Sequence, residues 1–134
     1  GIAAIGEFNY GRLEQGLRYL RMIAKTTGHI MPGGLPEYVH PSGDPELFPV
    51  TSCYSQLWSA AMFTEGMVWG LLRLEPDAAN GKITMTPGLP EGWPHFEFKN
   101  LIIGTSRINV RVDKDGTKVT NVEGPKLDVT INSI

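Results

Sequence analysis

Residues 52–74 constrain the fold of this chain most, because they predict a long helix that is apolar on every side. Its interior carries only two charges, Glu65 and Arg73. Its large apolar residues point in all directions around the helix axis: Trp58, Met62, Phe63, Met67, Val68, Trp69, Leu71 and Leu72. A helix that is apolar all round must be buried all round, and one further helix with a few strands cannot cover it. The pattern therefore predicts a helix from the interior of a larger helical assembly, of which this chain holds only part.

A membrane span is the competing interpretation of this stretch, since about 20 apolar residues cross a bilayer. Glu65 lies near its centre, and Gly66, Gly70 and Gln56 interrupt it together with several hydroxyl side chains. An ionisable group at the bilayer centre is costly. The sequence therefore favours a helix buried in protein, and we expect no membrane partner.

An amphipathic helix is predicted before this stretch, from about Asn9 to Lys25. Its apolar residues recur at steps of three and four: Leu13, Leu17, Leu20 and Ala24. Between the two helices, the loop from His29 to Thr51 contains five prolines. A loop of this length is usually functional or disordered, and its aromatic and apolar residues argue against disorder.

The spacing of apolar residues changes after residue 75, where alternating apolar and polar residues replace the helical pattern. The alternation predicts about five strands, near residues 82–86, 95–99, 107–112, 117–122 and 127–132. Asp115-Gly116 is a hairpin turn signal between two of them. Clean alternation indicates sheets with one buried face, as in an antiparallel sandwich. The predicted fold class is α+β, with a helical part at 1–75 and a β-rich domain at 76–134.

The bulk composition excludes several classes of partner. The 134 residues carry a formal net charge of −2, which does not favour nucleic acid or an anionic membrane surface. The single cysteine, Cys53, excludes an internal disulfide, and we expect it to be a small buried residue. The first residues have neither a basic region nor a long apolar run, so they do not predict a signal peptide. The chain reads as though it begins partway through a larger protein, and its compartment stays open.

Glu37 is the strongest candidate for catalysis. It lies between Pro36 and Tyr38, on a loop that opens with Gly33 and Gly34. Glycine supplies backbone freedom and proline removes it, so we expect this loop to be held in one shape. A carboxylate on a shaped loop between two helices can act as a general base. The alternative is a solvated loop carboxylate.

The remaining candidates leave alternatives open. His29 and His40 are either metal ligands or hydrogen-bonding loop histidines, and no H-x-x-x-H or Cys/His cluster supports a metal. His40 could also bind a sugar hydroxyl. Trp58 is either a core residue or a platform for a pyranose ring, because aromatic faces stack on apolar surfaces. A Gly-rich phosphate loop and a Gly-x-Ser-x-Gly nucleophile motif are both absent from the sequence. The sequence therefore predicts neither a metal nor a cofactor.

Two ordered series of residues resemble a known family. G-G-L-P-E-Y, a Pro/Gly-rich loop and then S-C-Y-S-Q-L-W-S-A-A at the head of an apolar helix resemble the C-terminal end of the catalytic domain of six-hairpin (α/α)6-barrel glycosidases. The resemblance points to the glycogen-debranching amylo-α-1,6-glucosidase and glucoamylase-like branch. T-P-G-L-P-E-G-W-P and F-K-N-L-I-I-G-T-S-R-I-N-V-R-V are similar to the β-rich tail after such barrels. The resemblance covers nearly the whole chain.

The resemblance implies a fold and a chemistry. The helical part would be the last helices of an (α/α)6 toroid, followed by a small β-sandwich-like domain. In the inverting scheme, one carboxylic acid protonates the leaving oxygen while a carboxylate about 6.5–9.5 Å away activates water. Glu37 matches the general base of this group. The resemblance implies that the sugar subsite is shaped by Tyr38, His40, Gln56 and Trp58.

The general acid of this family lies earlier in the barrel, and no residue here corresponds to it. We therefore expect the C-terminal part of a glycosidase that is inactive alone. Its partners would be an oligosaccharide or polysaccharide and the remainder of the barrel, from the same gene or a partner chain. One alternative is a non-catalytic carbohydrate-binding or structural module with Trp58 or Trp93 as its platform. Another is a subunit whose apolar helix docks on a partner. Hydrolysis and phosphorolysis both remain open.

Overall fold

The computed structural model describes residues 1–27, 34–37, 53 and 55–133, and the chain divides into two compact units, Gly1–Met67 and Val68–Ile134. The helical elements are α1 (Ile2–Asn9), α2 (Leu13–Ala24), α3 (Leu57–Glu65), a π-helical segment (Gly66–Leu71) and a 3-10 turn (Ala78–Asn80). The strands are β1 (Glu75–Asp77), β2 (Lys82–Met85), β3 (His95–Ile103), β4 (Ser106–Asp113), β5 (Gly116–Glu123) and β6 (Asp128–Ile131). This combination of helices and largely antiparallel sheets confirms the α+β class.

The first predicted helix is two helices in the structure. α2 begins at Leu13 rather than near Asn9, and α1 precedes it as an element that the sequence analysis missed. Gly11 separates them with a φ of +75°, a conformation that glycine adopts without a Cβ clash. Its N–H donates to the carbonyl of Phe8 at 2.9 Å and closes the end of α1. The predicted apolar face of α2 is confirmed at Leu17 and Leu20, which are both buried.

α1 and α2 approach each other closely where Phe8 meets Gly16. Phe8 is fully buried, and a Cβ added at Gly16 would lie 2.7 Å from its Cε1 atom. Gly6, inside α1, has nothing within 4 Å of an added Cβ. Gly16 is therefore required by the packing of the two helices, whereas Gly6 only weakens the helix that contains it.

Gly16→Ala is expected to leave the chain less stable than Gly6→Ala by about 1–3 kcal/mol, the usual effect of overpacking a core. Both substitutions add the same helix propensity, about 1 kcal/mol, so their difference isolates the collision with Phe8. Urea unfolding followed by circular dichroism measures it. Equal free energies of unfolding for the two variants would contradict the close approach.

The predicted helix at 52–74 is shorter than expected. α3 begins at Leu57 because Gln56 has an extended backbone, with φ −101° and ψ 119°. The π-helical segment ends at Leu71, shortly before Arg73, whose φ of +45° is left-handed and cannot continue a right-handed helix. Across residues 1–27, 34–37 and 55–133, no helix is both long and apolar enough to cross a membrane.

α3 is not covered by the part of this chain that the structure describes. Every residue of this helix is partly or fully exposed. Leu57 and Trp58 expose 84% and 66% of their surface. Large apolar groups clustered on one exposed helix are typical of a surface that contacts other protein. The predicted burial of this helix in a larger helical assembly therefore stays a prediction.

The second unit contains two three-stranded sheets, ordered β1-β2-β6 and β3-β4-β5. β3, β4 and β5 form the predicted antiparallel arrangement, and β1 is antiparallel to β2. β6 departs from the prediction because it pairs with β2 in parallel. A parallel pair needs a long crossover between its strands, and the β3-β4-β5 meander supplies one.

The core of this unit follows the period-two pattern of the sequence. Along β4 every second residue is buried: Ser106, Ile108, Val110 and Val112. β2 adds Ile83 and Met85. The five predicted strands are confirmed as β2 to β6. β1 was missed because its residues include Pro76, which favours a linker.

The β4–β5 hairpin turns at the predicted Asp115-Gly116 pair. Gly116 has a φ of +127°. The Asp113 carboxylate accepts the Asp115 N–H at 3.0 Å and the Arg111 Nε–H at 3.2 Å. Both bonds favour the ionised carboxylate and lower the pKa of Asp113, with the Asp115 N–H as the larger cause.

Candidate functional site

Glu37 is an exposed residue of the first unit that directly follows three buried residues. The three residues before it, Gly34, Leu35 and Pro36, are buried, whereas Glu37 is exposed. Its N–H donates to the carbonyl of Cys53 at 2.9 Å. The N–H of Gln56 donates to the carbonyl of Leu35 at 2.8 Å. Together these bonds attach this part of the loop to the residues that precede α3.

Cys53 is exposed and not buried as expected. Its backbone carbonyl faces Glu37, and its Sγ lies 3.5 Å from the carbonyl of Ser55. The prediction failed because a small apolar residue type does not indicate which side of an irregular segment it occupies.

A cavity of about 510 Å³ in the first unit brings Glu37 and Trp58 together. Segment 34–37 and the helices α1, α2 and α3 form its walls. The α2 wall consists of Tyr19, Met22 and Ile23 of α2 together with Thr26, which lies just beyond the end of that helix. The sequence analysis did not single out these four residues, although their spacing of three and four puts them on one helical stripe beside the leucine stripe.

The described wall of this cavity carries one carboxylate. Among the lining residues that the structure describes, Glu37 is the only acidic side chain. Trp58 adds a largely exposed indole, and Met22 and Met62 add apolar wall. An exposed carboxylate is hydrated and suited to accept a proton from water. An exposed indole can stack on the C–H face of a pyranose ring or pack against apolar side chains.

Gln56 is the one other predicted subsite residue that the structure describes. Gln56 is half-buried and does not line the cavity, although its backbone N–H takes part in the attachment of the loop. Tyr38, His40 and His29 lie outside the described residues. Trp93, the alternative platform, is half-buried in the second unit and packs edge-on against Phe96, with 6.5 Å between ring centroids. This contact makes Trp93 a packing residue more than a free platform.

A second cavity of about 440 Å³ lies in the second unit, between β5 and β6. Its wall combines the aliphatic residues Val119, Val129 and Ile131 with Lys126 and Asp128. It contains no aromatic side chain among its described lining residues, so it offers no stacking surface for a sugar. In the part of the chain that the structure describes, no three His, Cys, Asp or Glu side chains cluster in a way that would hold a metal ion.

Comparison with known families supports a glycosidase origin for the β-rich part. Residues 77–133 match the model of the glycosyl hydrolase family 65 C-terminal domain. The match begins at the last residue of β1 and includes β2 to β6. No curated protein sequence matches the chain at a significant level. The match supports the wider prediction of a glycosidase C-terminal domain, whereas the debranching and glucoamylase-like branch stays a prediction.

Proposed function

We propose that this chain is the C-terminal portion of a glycoside hydrolase of α-glucosidase or debranching type. In that enzyme it supplies the general base and part of the sugar subsite. The observation that carries the proposal is the match of residues 77–133 to a glycosidase C-terminal domain. Glu37 and Trp58, which share a cavity earlier in the same chain, are the residues to which we assign the chemistry.

The proposed reaction is inverting hydrolysis. Glu37 accepts a proton from water as the water attacks the anomeric carbon, while a carboxylic acid on the opposite side of the ring protonates the leaving oxygen. The exposure of Glu37 suits a base that must be ionised and in contact with water. The acid comes from the remainder of the enzyme, because the described wall of the cavity has no second carboxyl group.

The proposed architecture makes residues 1–75 the last helices of an (α/α)6 toroid and 76–134 the domain that follows it. The exposed apolar surface of α3 supports this assignment, since neighbouring helices of a toroid would cover Leu57. The partner is therefore the remainder of the barrel, in the same polypeptide or in a partner chain. In this architecture Tyr38, His40 and Gln56 join Trp58 around the sugar.

A non-catalytic carbohydrate-binding module is the second candidate. The observation that favours it is the exposure of Trp58, which presents an indole at the cavity without needing a catalytic partner. Under this function Glu37 would bind a sugar hydroxyl and activate no water. The two candidates differ in whether a change of Glu37 affects turnover.

Trp58→Ala is expected to weaken the binding of an oligosaccharide about two- to tenfold, which corresponds to the loss of one aromatic contact of about 0.5–1.5 kcal/mol. Isothermal titration calorimetry on the full-length protein measures it. Trp69→Ala is the matched control, because Trp69 is also partly exposed but is not among the described residues that line the cavity. The Trp69→Ala variant should bind the oligosaccharide with the affinity of wild type. Unchanged affinity in Trp58→Ala would remove the sugar-platform role from both candidate functions.

A further inference from the structure

We infer that Leu35 is a positioning residue for Glu37. It holds the Glu37 carboxylate at the cavity with the help of two backbone hydrogen bonds, one on each side of Pro36. The inference rests on the proposed function of Glu37 as general base. It assigns to Leu35 a role that its apolar side chain alone does not indicate. The two bonds, Gln56 N–H to Leu35 carbonyl and Glu37 N–H to Cys53 carbonyl, are called the loop clamp below.

The loop clamp fixes the backbone at both ends of a short span. The carbonyl of Leu35 is occupied by Gln56 at 2.8 Å, and the N–H of Glu37 is occupied by Cys53 at 2.9 Å. Between them Pro36 has a fixed φ and no N–H of its own. With the backbone held on both sides, the side-chain torsions of Glu37 are its main remaining freedom.

The side chain of Leu35 secures this arrangement from inside. Leu35 is only 6% exposed and lines the same cavity as Glu37. The buried side chain fixes segment 34–37 in the wall of the cavity. The two hydrogen bonds of the loop clamp then fix the backbone of Glu37 relative to Cys53 and Gln56. Since Gln56 immediately precedes α3, the clamp also relates the carboxylate of Glu37 to the indole of Trp58, which lies in the first turn of that helix.

A general base depends on such positioning. It must stay within hydrogen-bond reach of the water that it deprotonates. A displacement of about 1 Å can lower a rate about 10²-fold without any change in the reacting groups. Loss of the Leu35 anchor should therefore reduce turnover while leaving substrate binding, which depends on other contacts, largely intact.

The test compares Leu35→Ala with Leu17→Ala in the full-length enzyme. Leu17 is 2% exposed, belongs to α2 of the same unit, and neither lines the cavity nor takes part in the loop clamp. Both variants lose the same buried atoms, so both lose stability to a comparable extent. We expect Leu35→Ala to lower kcat by about 10- to 100-fold with KM changed by less than about threefold. Leu17→Ala should retain the kcat of wild type at a temperature where both variants are folded.

Hydrogen exchange gives a readout that does not depend on activity. The amides of Glu37 and Gln56 should exchange at least about tenfold faster in Leu35→Ala than in Leu17→Ala, because only the first substitution releases the loop clamp. If Leu35→Ala does not fold, Leu35→Val provides the same comparison with a smaller loss of volume. Leu35→Met, which conserves volume, should restore kcat.

The outcomes separate this inference from the function on which it rests. Equal losses of kcat in Leu35→Ala and Leu17→Ala, in an enzyme that Glu37→Gln inactivates, would overturn the positioning role alone. Unchanged exchange at Glu37 and Gln56 would overturn it as well. A Glu37→Gln enzyme with a kcat near that of wild type would instead overturn the general-base assignment itself.

Discussion

Glu37→Gln in the full-length enzyme is expected to lower kcat by about 10²–10⁴-fold, the usual contribution of general acid–base catalysis. Glutamine has nearly the same shape as glutamate but cannot take a proton from water. Because the shape and the loop clamp are retained, KM should change little, which indicates an interaction made mainly in the transition state. Steady-state kinetics on an α-linked oligosaccharide measures both constants.

The control for this substitution is Glu65→Gln. Glu65 is an exposed glutamate at the end of α3 in the same unit, and it does not line the cavity. Its variant should retain the kcat of wild type. A kcat within about threefold of wild type in Glu37→Gln would refute the general-base role.

The sequence was most informative where structure depends on local periodicity. β4 alternates cleanly, and the structure buries the apolar residues Ile108, Val110 and Val112 on one face, as the pattern requires. The β4–β5 turn could be predicted for the same reason, since Asp115-Gly116 supplies turn chemistry within two residues. The leucine stripe of α2 is a further local signal, and the structure buries Leu17.

Features that depend on distant residues could not be predicted in this way. The parallel pairing of β6 with β2 joins Asp128 to Lys82 across the whole meander, and period-two alternation carries no information about strand direction. The start of α3 is displaced because Gln56 bonds to Leu35, a contact between segments far apart in sequence. The break between α1 and α2 depends on the positive φ of Gly11, which the sequence permits but does not require.

The candidate site likewise contains residues that the sequence predicted and residues that it did not. Glu37 and Trp58 were singled out from their residue types and from the resemblance, and the structure places both in one cavity. The sequence analysis missed the α2 wall of that cavity because the leucines of the same helix give a stronger periodic signal than the mixed residues of the wall. Gln56 was chosen for its side chain, whereas the described contact that relates it to the site is made by its backbone N–H.

The 134-residue chain produced alone is expected to have no detectable hydrolase activity, whereas under the proposed function the full-length enzyme is expected to be active. The reason is chemical as well as structural, since inverting hydrolysis needs two carboxyl groups and the described cavity wall provides only Glu37. Loss of the general acid alone removes about 10²–10⁴-fold. Parallel assays on equal molar amounts of the two proteins measure the difference. A kcat for the isolated chain within about tenfold of the full-length value would mean that both catalytic groups belong to this chain.

Activity should return when the isolated chain is mixed with the separately produced upstream part, because that part supplies the general acid and docks on the exposed surface of α3. Leu57→Asp should prevent this recovery, since burial of an unpaired carboxylate in the interface is strongly unfavourable. Ile102→Asp is the matched control. Ile102 is also a largely exposed apolar residue (69%, against 84% for Leu57), it lies on a strand of the second unit, and its variant should leave the recovery unchanged. Neither substitution should alter the stability of the isolated chain by more than about 0.5 kcal/mol, because both positions are on its surface. Equal recovery with the two variants would show that α3 does not contact the remainder of the enzyme, and the toroid architecture would then lose its main structural support.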